Sequence, residues 1–258
     1  MGAITGYIDV AQMVLYLFWG FFAALVIYLQ AESKREGFPL EEDGPLPNSL
    51  DRTAEGWPLM PPAKDYLLHD GRTVSYPGDN GDQRELALTP AHAWPGAPFD
   101  PTGNPMVDGV GPASWAERDD EPDMTHEHRP KVMPIRTAPE FVVAESDPDP
   151  RGMQVIGADD KVAGTVSELW VDTEEQLIRY LEVDIPGWER NVLLPMNFSR
   201  VDFGRGRILV SSITADQFAQ VPVSKNPDIV TRLEEDKIVG YFGGGKLYAK
   251  AARMEPLL

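Results

Sequence analysis

Two short stretches of this 258-residue chain carry the residue types that exchange protons or bind metal ions. The first is Asp123-Met124-Thr125-His126-Glu127-His128-Arg129-Pro130. Imidazoles titrate near neutral pH and suit proton exchange with bulk water. Pro130 disfavours helix at Arg129, so the spacing predicts an extended segment in which residues i and i+2 project to one side. His126 and His128 then converge on one ion or one proton route, whereas on a helix they would point apart. Two solvated histidines in an acidic loop would read the same way. The second stretch holds Asp172, Glu174, Glu175 and Arg179. A carboxylate close to other acids binds protons more tightly and shares them with its neighbours. A charged turn between two strands is the alternative. A third acidic group, Glu234 to Asp236, opens a helical segment, where it complements the helix dipole.

Other chemistries are excluded by composition. There is no cysteine, so disulfides, thiolate metal sites and cysteine nucleophiles are absent. The formal net charge of −18 sets the surface against nucleic acid. No Ser-His-Asp or paired-carboxylate hydrolase arrangement stands at workable spacing. The glycines at 243–245 follow a helix and lack the Lys-Ser/Thr of a phosphate loop. No catalytic residue and no bound cofactor are expected.

The elements that must position these groups begin with an apolar run, Val10 to Leu29, in which Gln12 is the only strongly polar side chain. Twenty residues at about 1.5 Å each make about 30 Å of helix, the thickness of a bilayer core. The spacing predicts residues 1–9 as a periplasmic N-terminus and 10–31 as a transmembrane helix. Lys34 and Arg35 follow the span while Asp9 precedes it, which places the bulk of the chain in the cytoplasm. Trp19, in mid-span, faces lipid or another helix. Residues 32–105 are dense in Pro and Gly, which block regular helix. The interleaved Trp57, Tyr66, Tyr76, Trp94 and Phe99 predict an ordered, extended strap that needs a partner surface. Residues 106–258 form the main domain. The runs KVMPI, FVVAE, MQVIGA, GTVSELWVD, LIRYLEVDI, NVLLPMNFSRVDF and RILVSSI, divided by turn signals, predict a small antiparallel barrel or sandwich. ADQFAQVP reads as a short helix. Thr231 to Phe242 reads as an amphipathic helix with Leu233, Ile238, Tyr241 and Phe242 on one face, stopped by the triple glycine.

DPRG (149–152), AGTVSELWVD (163–172), RYLEV (179–183), LLPM (193–196), LEEDKIVGY (233–241) and GGGKLYA (243–249) stand in order behind the span and an EGFPLE segment (36–41). Together they resemble the H subunit of the purple-bacterial photosynthetic reaction centre, nearly end to end. AGTVSELWVD and RYLEV alone resemble the wider PRC-barrel module. The resemblance implies a single N-terminal transmembrane helix plus a mainly-β, PRC-barrel-like cytoplasmic domain with a short C-terminal helix. It implies a subunit that binds no pigment, caps the pigment-bearing L and M subunits, stabilises the quinone region and conducts protons toward the secondary quinone. Bacteriochlorophyll, bacteriopheophytin, quinones and a non-haem iron would be held by L and M. All four histidines (His69, His92, His126, His128) lie outside the span, in keeping with that. Light-harvesting 1 antenna polypeptides, a cytochrome donor and membrane lipid are further implied partners, in a bacterial inner (intracytoplasmic, chromatophore) membrane. The resemblance makes His126 and His128, with Asp123, a proton entry point and an inhibitory divalent-metal site. It makes Glu175 a buried proton relay, with Arg179 and Asp172 beside it. A membrane-tethered PRC-barrel interaction module unrelated to photosynthesis is the alternative for the whole chain.

Overall fold

The structure is a computed structural model that describes residues 9–35, 61–69, 71–77, 84–94 and 97–254. The EGFPLE segment, Trp57 and the first eight residues lie outside the described residues. Two compact units divide the chain, the first spanning residues 1–83 with 90–99 and the second 84–89 with 100–258.

In the first unit, helix α1 runs Val10–Arg35. Its start is set by Asp9, whose Oδ1 accepts the Gln12 backbone N–H at 2.8 Å, while the Gln12 side chain accepts the Asp9 N–H at 3.3 Å. These two bonds satisfy donors that a helix start otherwise leaves open. The helix is long and apolar enough to cross a membrane, and its apolar side chains, Tyr16, Leu17, Trp19 and Phe21 among them, are exposed. Its last turn carries Lys34 and Arg35, where cations complement the carbonyl end of the helix. Arg35 donates to Glu32 (3.1 Å) and to the Pro62 carbonyl, and Lys64 reaches Glu32 at 2.9 Å. These bonds tie the helix end to strand β1 (Lys64–Leu67), which pairs antiparallel with β2 (Thr73–Tyr76). Tyr66, Tyr76 and Trp94 are exposed, so the described part of the predicted strap buries few of its rings. At the points where the chain passes from one unit to the other, β3 (Leu88–Pro90) and β4 (Phe99–Pro101) form a two-stranded ribbon of their own.

The second unit opens with a one-turn helix α2 (Pro105–Asp108), capped by Asn104. Its sheet contains β5 (Val132–Pro134), β6 (Gln154–Ile156), β7 (Val162–Asp172), β8 (Leu177–Asp184), β9 (Val192–Pro195), β10 (Ser199–Asp202) and β11 (Arg207–Val210), in the order β10-β11-β6-β7-β8-β9. Pairing is antiparallel except between β11 and β6, which run parallel, a departure from the wholly antiparallel expectation. FVVAE (141–145) forms no strand, and Val142 is 80% exposed. Five apolar-looking residues between prolines and acids are too short a signal to distinguish a strand from an irregular surface segment.

Strand β7 organises the unit. At eleven residues it takes β8 along one edge and both β6 and β5 along the other, β5 by Val132↔Asp172 and Pro134↔Trp170. Its burial alternates at first, but the last four residues, Leu169 to Asp172, are all buried. Trp170, Leu181, Leu194, Ile208 and Phe218 fill the core.

Helix α3 (Arg232–Tyr248) closes the unit. Thr231 accepts the Glu234 N–H at 3.2 Å and Glu234 accepts the Thr231 N–H at 3.0 Å, so the helix starts where the sequence placed it. The triple glycine does not stop it. A Cβ on Gly244 would lie 2.4 Å from the Ala113 Cβ, and one on Gly245 would lie 2.7 Å from the Ser212 carbonyl oxygen. Glycine is there to let the helix press against neighbouring backbone, and the helical conformation of Gly243 to Gly245 is held by that packing.

Candidate functional site

The stretch from Asp123 to Lys131 is a hairpin. The Asp123 carbonyl accepts the Lys131 N–H (2.8 Å), Met124 bridges Pro130, and the Thr125 N–H donates to the Arg129 carbonyl (2.8 Å). At its tip the Thr125 carbonyl accepts the His128 N–H at 2.9 Å, and His128 takes the left-handed φ of 60°. This is a three-residue hairpin loop whose last residue supplies the positive φ. His126 and His128 therefore sit on a tight turn and not on the extended segment that Pro130 suggested. Proline restrains Arg129 only, and the hydrogen bonds on either side of the loop decide the conformation of His126 to His128.

Asp123, His126 and His128 are exposed. Among the described residues, no group of three or more His, Asp or Glu side chains is close enough to hold a metal ion. His126 lines a surface cleft of about 380 Å³ with Thr125, Glu127, Arg129, Glu140 and Glu174; Asp123 and His128 are not among its lining residues.

The hairpin leads directly into β5, and the pairing Val132↔Asp172 delivers it to the turn that follows β7. Thr173 fastens the join, its N–H and its hydroxyl both donating to the Lys131 carbonyl at 2.9 and 3.1 Å. In that turn Asp172 is fully buried, and its Oδ1 accepts the N–H groups of Glu174 (3.1 Å) and Glu175 (2.9 Å). Its Oδ2 is buried without a hydrogen bond and lies 3.5 Å from Lys131 Nζ. The same ammonium stands 3.4 Å from Glu175 and 3.9 Å from Glu174, both about half exposed, so in this chain Glu175 is not the buried group that the resemblance implies and Asp172 is. The His126 N–H reaches Glu174 at 3.4 Å. The two stretches that looked separate in the sequence thus form one cluster with Lys131 at its centre.

Sequence reasoning missed Lys131. Its desolvation works against the charged form, but the pull of Asp172 and Glu175 outweighs this and raises its pKa above the usual lysine value. A cation among three carboxylates offsets their mutual repulsion and fixes the turn. The only sequence signal is its position next to a strand whose partner ends in Asp172, and that requires the register.

Arg179 lies elsewhere. Among the described residues no ion pair joins it to Glu175; its charge acts on Tyr180 and Glu235. The acidic group at the start of α3 also divides by role. Glu234 is the capping residue described above, and it also accepts the Lys225 N–H at 2.8 Å. Asp236 pairs with Arg118 at 2.7 Å. Glu235 turns toward the sheet and accepts the Tyr180 hydroxyl.

Comparison with known families gives two matches. A family model described as the photosynthetic reaction centre H-chain, N-terminal region, matches residues 2–137. A PRC-barrel domain model matches residues 143–217, which include β6 to β11.

Proposed function

The chain belongs to the photosynthetic reaction centre H-chain family, and on that premise we propose that it caps the L and M subunits on the cytoplasmic side and conducts protons toward the secondary quinone. As an H subunit with a PRC-barrel domain it associates with L and M. Helix α1 would dock against their helices with its N-terminus on the periplasmic side and Lys34 and Arg35 on the cytoplasmic side. The exposed rings of Tyr66, Tyr76 and Trp94 supply apolar surface for a partner to cover. Pigments, quinones and the non-haem iron would be held by L and M, and antenna polypeptides and a cytochrome donor would join the same complex in a chromatophore membrane. The subunit itself would carry out no catalytic step.

The observation that carries the proton-conducting part is the Lys131-centred cluster. An exposed imidazole can accept a proton on one ring nitrogen and give one up from the other. Glu174 is in contact with that turn and shares Lys131 with Glu175 and Asp172. A proton taken up at His126 has carboxylates within one hairpin's width, and Glu175, about half exposed, can pass it to a carboxylate of a partner subunit. Lys131 holds the acceptors in place without sealing them from water. Divalent ions that favour imidazole would inhibit by occupying His126 and His128.

Titrating Zn²⁺ or Cd²⁺ against quinone-linked proton uptake tests this entry point. The purified complex with wild-type chain is expected to be inhibited, and the His126→Ala/His128→Ala variant is expected to resist inhibition and to take up protons more slowly from the outset. Equal inhibition of the two would overturn the assignment.

A further inference from the structure

Glu235 is a titratable group outside the Lys131 cluster. It lies in the first turn of α3, pressed toward β8, and its Oε1 accepts the Tyr180 hydroxyl at 2.6 Å. Tyr180 is 3% exposed. Burial first, and then the nearby Glu235 charge, push the deprotonation of that hydroxyl above the ordinary tyrosine range. It therefore stays a donor under all ordinary conditions. Tyr180 also lines a mostly apolar surface cleft of about 290 Å³, in which Arg179 and Asn197 are its polar neighbours.

The charged groups facing Glu235 come from three elements. Arg179 lies beside Tyr180 on β8, Asp123 belongs to the hairpin, and Asp236 belongs to α3 with Arg118 paired to it. Burial raises the affinity of the Glu235 carboxyl for a proton. The Tyr180 hydrogen bond and Arg179 act against this, Asp123 and Asp236 add to it, and the net shift is upward. Asp123 belongs to the hairpin that carries His126, so the charge of that hairpin bears on the Glu235 carboxyl.

We propose that Glu235 is a second proton-exchanging carboxylate of this subunit, held by Tyr180, which itself lines the cleft beside Arg179. It would take up a proton when negative charge builds up on the partner subunits and release it when that charge is removed. This inference rests on the proton-conducting reading, which it extends to a second group on another element.

The test uses the intact complex and two conservative variants, Glu235→Gln and Tyr180→Phe. Light-induced infrared difference spectra recorded over a pH series should contain a protonated-carboxyl band that is lost in Glu235→Gln. In Tyr180→Phe the same band should titrate at higher pH, because a hydrogen bond that favoured the carboxylate is gone. Neither change is expected from a group that merely braces the helix. A band absent from wild type, or unchanged in both variants, would overturn the proposal. Glu175→Gln in the same series judges the underlying reading separately, through its rate of proton delivery, because the Glu235 band does not depend on that rate.

Discussion

Replacing Lys131 with Met should destabilise the subunit by about 2–3 kcal/mol and slow proton delivery together, because one ammonium serves three carboxylates. Removing one partner of a buried ion pair costs about 3–5 kcal/mol. The lower figure applies because Lys131 remains 19% exposed and Asp172 keeps two backbone donors. The stabilisation has a defined pH window. The folded-state pKa of Lys131 is raised above 10.5, so its contribution is complete below that value and is lost as pH rises through the folded pKa. At neutral pH the variant therefore shows the full loss, and in alkali the two proteins converge. Thermal unfolding of the detergent-solubilised complex across pH reads this directly. Adding Asp172→Asn to Lys131→Met should recover much of the loss by removing the stranded buried charge, whereas independent, additive costs would contradict the cluster.

Trp170→Ala should have the larger effect on stability alone. Trp170 is 1% exposed, and its Nε1–H donates to Glu182 Oε2 at 2.8 Å. Glu182, on β8, also accepts from Arg136 (2.7 Å) and Asn191 (2.7 Å), so the indole fills the core and helps satisfy a buried carboxylate. Losing a buried Trp to Ala costs about 3–5 kcal/mol, which lowers the melting midpoint by roughly 6–20 °C for a domain of this size. Trp170→Phe keeps most of the apolar volume and removes one of three donors to a buried carboxylate, for about 1.5–3 kcal/mol. Circular dichroism melts of the two variants separate the terms. Equal losses would mean that the hydrogen bond, and not the packing, dominates.

The apolar run, the strand runs from MQVIGA to RILV and the amphipathic helix from Thr231 were legible because each is written within a few adjacent residues. FVVAE and the triple glycine misled for the same reason. A local pattern does not report the neighbours that decide between strand and loop, or that hold three glycines helical against Ala113 and Ser212. The site divides in the same way. His126, His128, Asp172 and Glu175 could be found as residue types at short spacing. Lys131 could not, since its role arises from the register of β5 on β7, which brings residue 131 to residues 172–175. Arg179 looked like a neighbour of Glu175 by number, yet it acts on Glu235, whose position depends on how α3 packs on β8. The turn at His126 was misread because Pro130 speaks only for the residue before it.

On the proposed function, protons reach the secondary quinone through the acidic turn after β7. The most direct measurement is the rate of the second proton-coupled electron transfer to that quinone in intact complexes carrying Glu175→Gln. Gln fills the same space and removes the transferable proton, so the rate should fall at least about tenfold with assembly unchanged. A rate equal to wild type would contradict the account.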